Sequence, residues 1–267
     1  MTELITEMQM RESMRKKYAD AFFHAWTLFE LAQEVLGEFK GKAESAYDRA
    51  VWMICGRAYK SYHAILNLSE IAYTEDAGII LRSLFNLLVI NRWIASGNQD
   101  ERARKYLGWF WIEMKKNLDY DRGKVSDDLA DKALKNYEAH KRFFEYKDDS
   151  GVTRMRKKWH EPEAATLEQM ADGVGLKDHY EGLYRPLSSI EHSDAVAYFA
   201  MVSQTETKDG GPSLALHSDL FVPAYIRNAF QYFAEIFATW NSVHKGVDET
   251  KLSGVIQPGM DFFREET

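Results

Sequence analysis

Apolar residues recur at every third or fourth position along most of this chain, and that period admits little besides packed helices. Met14, Tyr18, Phe22, Ala25, Phe29, Ala32 and Leu36 would line one face of a long first helix, which the Gly37 to Gly41 region ends. Thr6 and Gln9 have the spacing of a capping box at its start. A second helix is predicted over about 44–72 and a third over about 75–96, and a fourth runs on to about Leu118 after the Ser96-Gly97-Asn98 turn. Polar residues 119–128 read as a loop. Leu129, Leu134, Tyr137 and Phe144 then mark a fifth helix ending near Lys147, where Asp148-Asp149-Ser150-Gly151 breaks the chain.

Thr166 and Gln169 repeat the capping pattern for a short helix that stops before Gly173 or Gly175. Pro186 suits the first position of the next helix, which is expected to continue to about Val202, with 208–212 as a flexible connection. Ser218 or Asp219 starts an aromatic-rich last helix through Ala229, Phe233, Phe237 and Trp240, where Pro223 is tolerated only in the first turn. No period-two alternation is long enough to support a sheet. The expected fold is therefore all-α, a multi-helix bundle of about seven to nine helices with a long antiparallel core. One domain spans 1–246, with a poorly packed tail over 247–267 and its weakest continuity over 147–166.

The 267 residues are 45% hydrophobic, enough for a sizeable core. Aromatic residues (7 Trp, 14 Tyr, 15 Phe) favour broad helix contacts or a large subunit interface, so a homodimer is expected. The net charge of −7 rules out a general basic field for nucleic acid, so any RNA contact must be local. The best local patch is Arg154-Met155-Arg156-Lys157-Lys158-Trp159-His160, in which four cations precede a ring able to stack on a base. The alternative is a solvated basic stretch with Trp159 in the core.

Cys55, the only cysteine, excludes an intrachain disulfide and a multi-cysteine zinc site, fits a reducing cytoplasm and reads as a buried packing residue. Residues 1–11 show no secretory signal. The most apolar stretch, 79–95, is interrupted by Arg82, Asn86, Asn91 and Arg92, so it reads as the central helix of a soluble bundle and no membrane contact is expected. The histidines form no metal-ligand spacing on one helix, and phosphate-cradling glycine loops and nucleophile elbows are missing. No metal or other cofactor is expected.

Chemistry concentrates in Tyr184-Arg185-Pro186-Leu187-Ser188-Ser189-Ile190-Glu191-His192. Within one helix, seven residues at about 100° each return Arg185 and His192 to nearly the same face. Because proline disfavours the α conformation in the residue before it, Arg185 is expected at the helix cap. There the free amides suit a phosphate and Ser188 and Ser189 add hydroxyl donors. In the functional reading His192 moves a proton at a ribose 2′-hydroxyl or at the leaving oxygen while Arg185 stabilises charge on the phosphate. In the structural reading Arg185 pairs with a surface carboxylate and His192 bonds a carbonyl. Arg82, in an apolar run, needs a carboxylate (Glu75, Asp76, Glu191 or Asp194) or a bound anion.

Leu81-Arg82-Ser83-Leu84-Phe85, followed by Trp159, Tyr180 and the Tyr184–His192 run, resembles a bacterial helical family of unknown function over about 61–202. In that family a glutamate often follows the first arginine by four residues; the position here is Asn86, so an Arg–Glu pair there is lost. An arginine followed by four to six residues and a histidine also resembles the HEPN superfamily, whose helical bundles include metal-independent ribonucleases of toxin and antiphage systems. Arg185 and His192 match at the upper limit of that spacing, with Pro186 in place of the usual polar residue. The resemblance implies a cytoplasmic, dimeric endoribonuclease with Arg185 and His192 catalytic, two such pairs facing one cleft. Arg82, Ser188, Ser189 and Trp159 would then contact the substrate. The competing expectation is a non-catalytic α-helical module for a protein or small anionic ligand, with the same arginines and His192 in structural networks.

Overall fold

The computed structural model describes residues 6–39, 41, 43–120, 125–191, 202–203, 213–214 and 218–265. It is an all-α bundle built from α1 (Glu7–Lys17), α2 (Ala19–Glu38), α3 (Ala46–Glu70), α4 (Thr74–Ala95), α5 (Gln99–Tyr120), α6 (Asp127–His140), α7 (Leu167–Gly173), α8 (Lys177–His179), α9 (Arg185–Glu191), α10 (Val222–His244) and α11 (Glu249–Glu265). At its centre α3, α4 and α10 pack on one another, with α2 and α11 closing one side, α5 packed on α3 and α4, and α7 and α9 on α4.

Helix α10 explains this arrangement. Its buried residues include Tyr225, Ile226, Phe230, Tyr232, Phe233, Ile236, Phe237 and Trp240, too wide an apolar girth for one neighbour to cover. Phe233 stacks on Tyr62 of α3 at 4.6 Å between ring centroids, Phe237 stacks on Phe233 and Trp240 on Phe237. Each such side chain is worth about 1.5–3 kcal/mol of burial. Pro223 falls in the first turn of α10, where its missing N–H costs nothing.

Helix α4 is the one described helix long and apolar enough to cross a membrane by length and composition; here it is enclosed by α3, α5, α7, α9 and α10. Gly78 lets α9 and α10 come close to it. A Cβ there would sit 2.8 Å from Leu187 and 3.1 Å from the Tyr225 hydroxyl, so no larger residue fits without displacing them. Cys55 is fully buried and desolvation pushes its thiol far up, consistent with packing.

Several expectations need correction. The first helix is two: Tyr18 leaves the helical region (φ −121°, ψ 41°) between α1 and α2, and α1 packs against α3. The reason is Glu70, whose buried carboxylate accepts from Arg11 and from Arg15 Nε at 2.7 Å on α1, and from Trp26 Nε1 at 2.8 Å on α2. A straight helix would not bring those groups round one carboxylate. The fifth helix stops at His140, and Glu145–Lys147 (β1) pairs antiparallel with Thr153–Met155 (β2). The breaker at 148–151 is its turn, fixed by Asp148 Oδ1 accepting the amides of Ser150 and Val152 at 3.0 Å with Gly151 at φ +81°.

A second two-stranded pair joins Val202–Ser203 (β3) to Ser213–Leu214 (β4), so Val202 is in a strand, not a helix. The 208–212 connection lies outside the described residues. The segment after 246 is no loose tail: α11 packs on α2 and α10 and buries Leu252 and Phe263. Pro258 lies inside this helix. Replacing Glu70 by Ala is expected to destabilise the fold by about 3 kcal/mol, the low end for breaking a buried pair because Arg11 and Arg15 retain access to water; chemical denaturation midpoints check this.

Candidate functional site

The Arg185-bearing segment is one unbroken helical run. It begins as α8, widens to a π-helix over Tyr180–Tyr184 and returns to α in Arg185–Glu191. Arg185 is itself helical (φ −62°, ψ −50°) and its amide donates to the Tyr180 carbonyl five residues back. The expectation that Pro186 opens the helix and leaves Arg185 at its cap is therefore corrected. Proline lacks an N–H and its ring crowds the carbonyl four residues before; the wider π turn just upstream supplies the room. The free helix-end amides expected beside Arg185 are not there, because the preceding turn already uses that end of the chain.

Two of the arginines singled out in the sequence belong to one chain of contacts. The Arg185 guanidinium lies 5.7 Å from the Tyr180 ring centroid, Tyr180 stacks on Tyr184 at 4.9 Å, and the Arg82 guanidinium lies 4.4 Å from the Tyr184 ring. Phe85, one turn past Arg82, also meets Tyr184, at 5.7 Å. The two sequence motifs thus dock on one another through α4 and α9.

Arg82 is 15% exposed. It pairs with Glu191, one of the four carboxylates named from the sequence, and donates to the Tyr184 hydroxyl at 2.8 Å. Burial raises the pKa of that hydroxyl, so it stays protonated. The Arg82 Nε and the Asn86 Oδ1 are buried without a hydrogen-bond partner. A glutamate at 86 could accept from that Nε; with Asn86 in place, Glu191 on the neighbouring helix supplies the carboxylate.

Arg185 behaves differently. Its side chain is 56% exposed and meets Glu181 at 2.8 Å and Glu168 at 3.6 Å. Ser188 and Ser189 are half-buried on the same helix, while His192, and Asp194 with it, lies outside the described residues. Trp159 departs from the surface-platform expectation: it is buried, edge-on to Tyr106 at 5.2 Å, and serves the core. Arg154 pairs with Asp148 at 2.8 Å and Arg156 lies over Tyr146, so that run mainly fastens the hairpin.

Replacing Arg82 by Met is expected to cost about 1.5–3 kcal/mol, and backbone amides of Leu187–Glu191 should exchange faster in hydrogen-exchange measurements while those of α3 do not. His160 gives a pH test. Its Nδ1–H donates to the Ala164 carbonyl at 2.7 Å, and burial lowers its pKa. The unfolded chain then binds the proton more readily, so this contribution is complete above the ordinary value near 6.5 and is lost as pH falls below it. His160→Asn should flatten the fall in melting temperature between about pH 7 and about pH 5, read by thermal melts across that range.

No curated protein and no solved structure matches the chain. Residues 48–210 match the profile of a family of unknown function (DUF5677), a span holding α4, α9 and the Arg82–Tyr184–Glu191 contacts between them. The chain is a member of this family.

Proposed function

We propose that the chain is a metal-independent endoribonuclease of the HEPN type, a toxin or antiphage-defence component acting as a cytoplasmic homodimer, with Arg185 and His192 as its catalytic pair. The observation that carries this reading is the setting of Arg185: a helical residue whose guanidinium stands in solvent, held by two exposed carboxylates. Exposed pairs of this kind are worth about 0–1 kcal/mol, so a phosphate oxygen can displace them. Arg185 belongs to the same helix as Glu191, and the Arg82–Glu191 pair anchors the residue before His192.

In the reaction His192 takes the proton of a ribose 2′-hydroxyl, the freed oxygen attacks the adjacent phosphorus, and the bond from phosphorus to the 5′-oxygen breaks as that oxygen takes a proton from the His192 imidazolium or from water. The products are a 2′,3′-cyclic phosphate and a 5′-hydroxyl. Arg185 balances the charge that builds on the phosphoryl oxygens. Exposed Phe23, Trp52, Met53 and Phe110 offer apolar area for a dimer contact.

The second reading is a non-catalytic α-helical module for a protein or small anion, favoured by the engagement of both Arg82 and Arg185 with carboxylates. Incubating the purified chain with mixed RNAs in chelator separates the two. Cleavage that falls by about a hundredfold or more in His192→Ala and in Arg185→Ala supports the nuclease. Intact RNA across conditions, or cleavage indifferent to both substitutions, sinks it.

A further inference from the structure

A cavity of about 420 Å³ opens between α4, α8, α10 and α11, within the roughly 300–1,000 Å³ typical of small-molecule sites. Its walls are largely apolar, with Leu88, Leu176, Ala238, Ile256 and Met260 among them. A second cavity of about 230 Å³ adjoins it, sharing His179, Gln231 and Met260 and adding Arg227 and Arg264. The pair therefore has an apolar body and a cationic mouth.

The cations at its two ends differ. Arg92 is neutralised by Glu235, with one contact at 2.5 Å, and its Nη1 donates to the Val174 carbonyl at 3.1 Å. Arg227 is half-buried and among the described residues pairs with no carboxylate, an expense that a bound anion would offset. On the cavity floor His179 lies 2.9 Å from the Tyr232 hydroxyl, and its pKa is lowered chiefly by burial, with Arg92 and Arg227 lowering it and Asp178 and Glu235 opposing them. No residue of this site takes part in the ribonuclease reading.

We propose that this cavity binds a small amphiphilic carboxylate, its acyl or aryl body among Leu88, Leu176, Ile256 and Met260 and its carboxylate on Arg227. Apolar walls favour a hydrocarbon, and a half-buried guanidinium selects a planar anion that can accept two parallel hydrogen bonds. Decanoate is the probe, with decanol as the neutral match, titrated calorimetrically into the full chain. Decanoate is expected to bind saturably and about tenfold or more tighter than decanol, the ratio for one charge-assisted contact. Arg227→Gln should erase that preference, and Ala238→Phe should weaken both probes with the helical circular dichroism unchanged. Absence of saturable decanoate binding, equal affinity for the two probes, or a preference that survives Arg227→Gln would each overturn the site. If Ala238→Phe does not fold, Arg227→Gln alone decides.

Discussion

The demand that α10 be covered on nearly every side governs the architecture. A helix carrying Phe230, Phe233, Phe237 and Trp240 cannot rest on a flat surface with one face in water, so α2, α3, α4 and α11 gather round it. Its aromatic ladder also fixes register, because rings stacked at near-parallel angles tolerate less sliding than aliphatic side chains. The remaining helices are attached to this core by more specific devices.

Those devices are charges brought into places where charge is costly. Glu70 at the end of α3 gathers α1 and α2, and Arg82 in the middle of α4 gathers α9. In each case an ion on a core helix is satisfied only by an element distant in sequence, so polar need specifies which helix docks where. Gly78 complements this by sparing the space into which Leu187 fits. Arg185, on α9 with Leu187, keeps its side chain 56% exposed against Glu168 and Glu181, whereas that of Arg82 is 15% exposed.

Much of this was legible in the sequence, and the parts that were not have definite causes. The 3.6 period located α2 to α5 and α10, and the Thr6–Gln9 and Thr166–Gln169 caps sit where their spacing placed them. Arg82's need for a carboxylate was readable from its apolar neighbours, but choosing Glu191 among four required the α4–α9 contact. The break at Tyr18 was hidden because its apolar period continues across it; only the distant Glu70 explains it. Trp159 read as platform or core, with core the commoner outcome for such runs, since an aromatic after cations carries no sign of which way it points. Pro186 misled because the preference of the residue before proline for extended geometry is a bias that the surrounding helix overrides here, while the π turn over Tyr180–Tyr184 relieves the clash of the ring with the carbonyl four residues back. The cavity beside Arg227 left no local signature, being assembled from four helices.

The widened turn over Tyr180–Tyr184 acts as a phase shifter. By lodging one more residue than an α turn holds, it rotates everything downstream about the helix axis, so Arg185 faces a direction that counting from His179 in steps of 3.6 would miss. A relative lacking one residue in this stretch could keep both motifs intact and still aim its arginine elsewhere. Aligned letters across that point do not guarantee equivalent directions in space.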